Sequence, residues 1–421
     1  MAHETALIAT IAMSLGLALL LGFAAARLKI PPLVGYLLAG VAVGPFTPGF
    51  VADARLAPQL AEIGVILLMF GIGMHFSVRD LWAVRAIALP GALAQVAITT
   101  ALGAGVARLW GWPLGAGLVF GLALSVASTV VLLRAMEVRQ CLDSPEGRIA
   151  VGWLIVEDLL MVLVLVLLPA FAGPPLAHLT DAGHAPAGHA PWAATLGATL
   201  GKLAVFVALM FGAGARVFPW LLKQVERTGS RELFTLAVLS LAIGVAFGAS
   251  ELFGVSFALG AFVAGIVIHE SDLSRRAAAD ALPLRDAFAV LFFVSVGMLF
   301  DPAILVRQPL QVLAVVAIII LGKSLAALGL VLGFRQPRDI AFTVAASLAQ
   351  IGEFSFILAG LGVSLGLLPP EGRGLVLAGA LLSITLNPVV FRVSGLLAAR
   401  THALPGARRR RAQGGGSDRA D

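Results

Sequence analysis

Long apolar runs separated by short polar connections cover the chain from residue 6 to residue 397. A helix of about 20 apolar residues is long enough to cross the hydrocarbon core of a bilayer. Run length and the positions of Arg, Lys, Pro and Gly set the boundaries. The pattern predicts an all-α polytopic membrane protein of about 13 transmembrane helices, over residues 6–26, 32–49, 58–76, 86–107, 113–134, 149–171, 193–214, 232–250, 254–269, 285–300, 309–333, 339–362 and 374–397.

The composition agrees with a membrane protein. Of the 421 residues, 59% are hydrophobic and 12% are charged, whereas a typical soluble domain carries about 25% charged residues. No signal-peptide cleavage pattern follows the first apolar run, so we expect it to remain as a span. The single cysteine, Cys141, excludes a disulfide framework within the chain.

Basic residues indicate the orientation in the membrane. They concentrate in the odd-numbered connections between spans and in the C-terminal tail, where Arg408 to Arg411 form a run. Because basic loops stay on the cytoplasmic side, the pattern predicts a periplasmic N-terminus and a cytoplasmic C-terminus. The net charge of +6 therefore reflects topology and attraction to anionic lipid, and nucleic acid is not a predicted partner.

An internal repeat relates the two halves of the chain. Residues 33–41 (LVGYLLAGV) match residues 258–266 (ALGAFVAGI), and residues 67–74 (LLMFGIGM) match residues 291–298 (LFFVSVGM). The two offsets, 225 and 224, agree and place spans 2 and 3 on spans 9 and 10. A shift of seven spans reverses the direction through the membrane, so the repeats are inverted. Inverted repeats are typical of secondary transporters, whose site lies near the midplane between them.

The repeat divides the chain into four predicted regions. Residues 1–190 hold the first repeat, spans 1–6, with a periplasmic loop, and residues 191–230 form a linker helix. Residues 231–399 hold the second repeat, spans 8–13, and residues 400–421 form a basic cytoplasmic tail that we expect to be disordered.

Two adjacent acids, Glu157 and Asp158, lie in the middle of the apolar run 149–171. Charge at that depth is costly and usually faces a protein interior or a water-filled path. Asp158 is the predicted carboxylate that exchanges a cation for a proton. Glu157 lies about 100° around the helix, and two roles are open for it: ion binding, or an ion pair with Lys323 of span 11. Lys323 in turn either pairs with Glu157 or carries a proton itself.

Other polar groups lie in equivalent spans of the two repeats. The hydroxyls of span 5 either face a break in that helix or bond to the carbonyl one turn back. Glu353 either offsets the positive end of a half-helix in span 12 or acts as a gate, and the Asn387-Pro388 pair suggests a further break in span 13. We predict supporting roles for Ser125, Ser128, Thr129, Gln350, Glu353 and Asn387.

Four segments resemble the monovalent cation:proton antiporter-2 family of the Kef type: residues 32–40 (PLVGYLLAG), 67–73 (LLMFGIG), 156–159 (VEDL) and 349–354 (AQIGEF). The resemblance extends to about residue 397. It implies discontinuous, crossed helices in spans 5 and 12, a dimerisation panel, a mobile six-helix core and elevator-like alternating access. It also implies a homodimer in the bacterial inner membrane.

The chain departs from glutathione-gated Kef potassium systems in two respects. Those systems carry a Gln-Asp pair where this chain has Glu157 and Asp158, and they have a C-terminal nucleotide-binding regulatory domain, which we do not expect here. Neither potassium specificity nor ligand gating therefore follows from the resemblance.

The sequence predicts a transporter and not an enzyme: an antiporter of Na⁺ or K⁺ against H⁺, with no catalytic residues and no cofactor. Asp158 is the predicted ligand of the transported monovalent cation. A sodium-coupled symporter of an organic anion is an alternative of similar fold, but no arginine at the midplane is available as an anion site. A cation channel and a non-transporting membrane sensor are two further alternatives.

Overall fold

The computed structural model describes residues 6–48, 56–75, 78–142, 144–171 and 192–403, and every regular element in these ranges is helical. The predicted all-α class is therefore confirmed. The predicted periplasmic loop at residues 173–192 lies outside the described residues except for Trp192, and the basic tail lies outside them after residue 403.

The described residues of the first repeat form seven helices. Predicted span 5 is divided between two of them, because residues 126–128 are not helical. The helices are α1 (Ala6–Arg27), α2 (Pro32–Val43), α3 (Leu56–His75), α4 (Val78–Leu109), α5 (Leu114–Ser125), α6 (Thr129–Val138) and α7 (Pro145–Phe171).

The linker and the second repeat follow. Two five-residue π-helical segments, Met210–Gly214 and Ile318–Gly322, join consecutive helices, and residues 348–352 divide predicted span 12. The helices are α8 (Trp192–Leu209), α9 (Ala215–Glu226), α10 (Arg231–Phe253), α11 (Phe257–His269), α12 (Ser274–Met298), α13 (Ile304–Arg307), α14 (Pro309–Ala317), α15 (Lys323–Gly333), α16 (Arg338–Ser347), α17 (Glu353–Ser364) and α18 (Pro370–Ala403).

Nine helical segments of the described residues are long and apolar enough to cross a membrane, and four shorter apolar helices accompany them. The count of 13 spans remains a prediction. Several helices extend beyond the predicted spans: α4 begins at Val78 and not at residue 86, and α12 begins at Ser274 and not at residue 285. Charged residues end an apolar run, but they do not end a helix.

The two breaks cross at Ser128 and Gly352. Ser128 caps α6, because its Oγ accepts a hydrogen bond from the Val131 amide at 3.4 Å. Gly352 caps α17, and a Cβ there would overlap Ser128. The close approach therefore requires glycine. The two positions are 224 residues apart, the offset of the repeat, and the predicted discontinuous crossed helices are confirmed.

Two glycine contacts show that the repeat is structural. A Cβ on Gly40 of α2 would overlap the backbone around Gly297 of α12, and a Cβ on Gly265 of α11 would overlap the backbone around Gly73 of α3. The second contact is the first one with each residue replaced by its partner at an offset of 224 or 225. Such small residues let membrane helices approach closely.

The helices pack in two panels. One panel contains α1 to α3 and α10 to α12, and the other contains α4 to α7 and α14 to α18. Each panel draws helices from both repeats. The second panel holds both crossed breaks, so the polar groups of spans 4–6 and 11–13 come together inside it.

Candidate ion-exchange site

A cavity of about 800 Å³ lies between the two panels. α2, α3, α11 and α12 line it on one side, and α6, α7 and the first residue of α17 line it on the other. Its mouth carries the exposed Arg134–Glu137 ion pair on one panel and the Arg285–Asp286 ion pair on the other. Among the charged side chains that line it, the buried ones are Asp158 and Glu353.

Asp158 lies on α7 and faces the cavity. Its side chain is 4% exposed, and its Oδ2 accepts a hydrogen bond from Thr129 Oγ1 at 3.1 Å. Its Oδ1 is buried and has no hydrogen-bond partner among the described residues. A buried carboxylate oxygen with no donor is a ready acceptor for a proton or a ligand for a cation.

Glu157, the adjacent acid, points into the helix packing instead. It is fully buried and is absent from the cavity lining. Its Oε2 accepts a hydrogen bond from the Ala127 amide at 2.8 Å and lies 3.9 Å from Lys323 Nζ. The two neighbouring acids therefore have different surroundings, as their separation around the helix allows.

Lys323 completes this internal ion pair. It begins α15 directly after the π-helical segment and is fully buried. Its Nζ donates to the backbone oxygen of Gln350 at 3.2 Å. Glu157 thus lies at the positive N-terminal end of α6, and Lys323 lies beyond the negative C-terminal end of α16. Both placements are favourable for the helix dipoles.

Gln350 connects the two breaks. Its Oε1 accepts a hydrogen bond from the Ser128 amide at 2.9 Å, and its Nε2 donates to the Ser128 carbonyl at 3.2 Å. The same Nε2 donates to the Ser347 carbonyl at 3.3 Å. One side chain therefore satisfies the Ser128 amide and the Ser347 carbonyl, and it adds a second hydrogen bond to the Ser128 carbonyl, which also accepts from the Leu132 amide.

Glu353 begins α17 and faces the cavity together with Asp158. It is 1% exposed, and its Oε2 accepts a hydrogen bond from Ser128 Oγ at 3.1 Å. Its Oε1 is buried without a hydrogen-bond partner among the described residues.

Two predicted supporting residues have other surroundings. Ser125 Oγ donates to the Leu122 carbonyl at 2.8 Å, within its own helix. Asn387 Nδ2 donates to the Ala346 carbonyl in α16 at 3.1 Å. The suggested break at Pro388 is wrong, because α18 runs unbroken through it from Pro370 to Ala403. Proline is tolerated in a membrane helix where neighbouring groups satisfy the freed backbone.

Gln95 of α4 was not among the residues predicted from the sequence. Its Nε2 donates to the Ser125 carbonyl at the end of α5 at 3.2 Å, and to Thr99 Oγ1 at 2.9 Å. Its Oε1 accepts from Trp153 Nε1 at 3.4 Å. A single glutamine inside the apolar run 86–107 was the available signal, since buried amides need partners.

Inverted repeats, crossed helix breaks and a buried acid on a cavity define a secondary transporter of the ion-exchanging class. The chain belongs to the sodium/hydrogen exchanger family, because the model for "Sodium/hydrogen exchanger, transmembrane" matches residues 13–393. The chain is thus a cation/proton antiporter, a class that needs no cofactor. The family evidence favours this prediction over the symporter and channel alternatives.

Two relatives are similar over most of the chain. "Putative cation/proton antiporter YbaL" of Escherichia coli K12 is 63% identical over 96% of this chain and 71% of that protein. "K(+) efflux antiporter 4" of Arabidopsis thaliana is 33% identical over 88% of this chain and 61% of that protein. The predicted resemblance to cation/proton antiporters is confirmed.

A solved structure has the same fold. The sodium proton antiporter MjNhaP1 from Methanocaldococcus jannaschii superposes with a TM-score of 0.70 at 20% identity, over 95% of this chain and 99% of that chain. This likeness supports the architecture alone.

Proposed function

We propose that this chain exchanges a monovalent cation, Na⁺ or K⁺, for H⁺ at Asp158. The observation that carries the proposal is the contrast between two adjacent acids. Each acid has one hydrogen-bonded oxygen and one buried oxygen without a partner among the described residues. Asp158 lines the cavity, whereas Glu157 is absent from the lining and lies beside Lys323 inside the panel. Asp158 is therefore the acid of the pair that a cation from the cavity can reach.

The exchange follows from competition at one carboxylate. Deprotonated Asp158 binds a cation that enters through the cavity, and protonation releases it. An empty, charged carboxylate is costly to move through a low-dielectric interior. The panels therefore move when Asp158 carries either a cation or a proton, and the two fluxes are coupled. Alternating access then exposes the site to one side of the membrane at a time.

The Glu157–Lys323 ion pair has a structural role in this proposal and carries no net charge. Neither residue lines the cavity, and each is bonded to a different helix break. The pair holds the breaks in register while Asp158 changes its ligand. Thr129, through its hydroxyl on Asp158, orients the exchanging carboxylate.

We further propose a homodimer in the bacterial inner membrane, with a periplasmic N-terminus and a cytoplasmic C-terminus. The positive-inside pattern supports this orientation. The cavity mouth, with Arg134 and Arg285, then faces the cytoplasm. We also propose the predicted division of the chain into a first repeat (1–190), a linker helix (191–230), a second repeat (231–399) and a tail (400–421).

Everted membrane vesicles test the assignment. Asp158→Asn should abolish the Na⁺- or K⁺-induced dequenching of a pH-sensitive dye, because an amide cannot exchange a cation for a proton. Both cations are assayed at several pH values. In the wild type, a lower pH should raise the cation concentration needed for half-maximal exchange, because protons compete for the same oxygens.

Asp272→Asn is the matched control. It makes the same chemical change at an exposed Asp that forms a surface ion pair with Lys223, and surface pairs contribute little. Normal exchange by a correctly inserted Asp158→Asn protein would rule out the proposed mechanism.

A further inference from the structure

We propose that Glu353 is a second ligand of the transported cation, so that the ion binds between one carboxylate from each repeat. This inference rests on the proposed function of Asp158 and adds the second half of the site. The ligand it implies is a monovalent cation with an oxygen-rich coordination shell.

The hydrogen bonds of two neighbouring hydroxyls carry the argument. Ser128 Oγ holds Oε2 of Glu353, and Thr129 Oγ1 holds Oδ2 of Asp158. Each of these two hydrogen bonds goes to one oxygen of a carboxylate. The other oxygens, Oε1 of Glu353 and Oδ1 of Asp158, are buried with no hydrogen-bond partner among the described residues. Both residues line the same cavity.

The charges of the site point the same way. The negative charge of Glu157 is matched by Lys323, whereas none of the ion pairs among the described residues includes Asp158 or Glu353. Two neighbouring buried carboxylates repel each other, and a cation between them offsets both charges and takes up the two free oxygens.

A purely structural role for Glu353 makes a different prediction. At the first position of α17, its charge is favourable at the positive helix end. If that were its whole role, losing the charge would lower stability and leave the cation affinity unchanged. Cation affinity therefore separates the two roles.

The experiment uses the purified full chain reconstituted in liposomes, with Na⁺ and K⁺ as separate probes. Glu353→Gln keeps the shape of the side chain and removes its charge. We expect the cation concentration for half-maximal exchange to rise about 10- to 100-fold, as for a lost charged partner in a buried site. The cation concentration that gives half of the maximal thermal stabilisation in detergent should rise by a similar factor, and this readout requires no transport.

Two further variants complete the test. Glu371→Gln removes an exposed acid from the first turn of α18 and should leave the cation affinity at the wild-type value. Glu353→Asp keeps the charge but withdraws it by one methylene, so its affinity should fall between those of wild type and Glu353→Gln.

Unchanged cation affinity in Glu353→Gln would overturn the proposal, including the case in which only the maximal rate or the stability falls. If Glu353→Gln does not fold, unchanged affinity in Glu353→Asp would overturn it equally. Either result leaves the role of Asp158 intact, provided that Asp158→Asn is inactive. Exchange by Asp158→Asn would instead contradict the proposed function itself.

Discussion

The two crossed breaks occupy equivalent positions in the repeats and have different chemistry. Each divides the fifth span of its repeat, and Ser128 of one contacts Gly352 of the other at equivalent positions. Around the first break lie the acids of α7, whereas around the second lie Lys323, Gln350 and Glu353. The inverted repeat thus supplies a symmetric scaffold, and sequence divergence between the repeats supplies an asymmetric site.

The ends of the first half-helices show the difference most directly. The carbonyl of Ser125 at the end of α5 accepts a hydrogen bond from the neutral amide of Gln95. The backbone oxygen of Gln350, beyond the end of α16, accepts one from the ammonium of Lys323. A charged donor requires a charged partner in the membrane interior, and Glu157 supplies it from the other repeat. The Lys323–Glu157 ion pair thereby links the two repeats, whereas the hydrogen bond from Gln95 to Ser125 stays within the first repeat.

The largest expected effect comes from removing one partner of the Lys323–Glu157 ion pair. Lys323→Met leaves the Glu157 carboxylate buried without its counter-ion, so we expect a loss of about 3–5 kcal/mol in stability. The Lys323→Met/Glu157→Gln double variant removes both charges and should recover most of this loss. Thermal unfolding of the three purified proteins in detergent measures the difference.

Equal stability of the single and double variants would contradict this prediction. If the single and double variants are equally unstable, Lys323 acts through packing or through Gln350, and the ion pair does not decide stability. The exchange rate of the double variant then shows whether the Glu157–Lys323 ion pair is also needed for transport.

A smaller effect should separate the two glutamines. Gln350→Leu leaves the Ser128 amide without its partner, and Gln95→Leu leaves the Ser125 carbonyl without its partner. Each unsatisfied buried group costs about 1–3 kcal/mol. Because Gln350 bridges both breaks, we also expect Gln350→Leu to impair cation affinity more than Gln95→Leu does. Unfolding midpoints and the half-maximal cation concentration in liposomes measure the two effects, and equal affinities in the two variants would contradict a special role for Gln350.

The smallest expected effect is that of Ser125→Ala. Among the described residues the hydroxyl bonds within its own helix, so its removal should change stability by less than about 1 kcal/mol. Cation affinity should match the wild type. Ser128→Ala is the contrasting variant, because Ser128 Oγ holds Glu353 and caps α6. A marked loss of affinity in Ser125→Ala would show that this hydroxyl reaches the ion in another state of the transporter.

Several features of the fold were predictable from the chain alone, because they depend on order and spacing along it. The apolar runs predicted the helices, and the two matched glycine segments predicted the inverted repeat. The AQIGEF segment marked the break at Gly352. The helix ends and the two π-helical segments were not predictable, because side-chain hydropathy does not register backbone hydrogen bonding inside an apolar run.

Tertiary structure alone decided the part of the site that lies around the helix axis. Hydropathy places Glu157 and Asp158 at the same depth, but depth is a coordinate along the chain. Which acid meets the cavity depends on the packing of α7 between the breaks and the other panel. The same packing brings Gln95 to α5 and Asn387 to α16, although no periodic pattern in the sequence predicts either contact. The sequence by itself therefore determined how deep the charges lie, and the fold determined which of them an ion can reach.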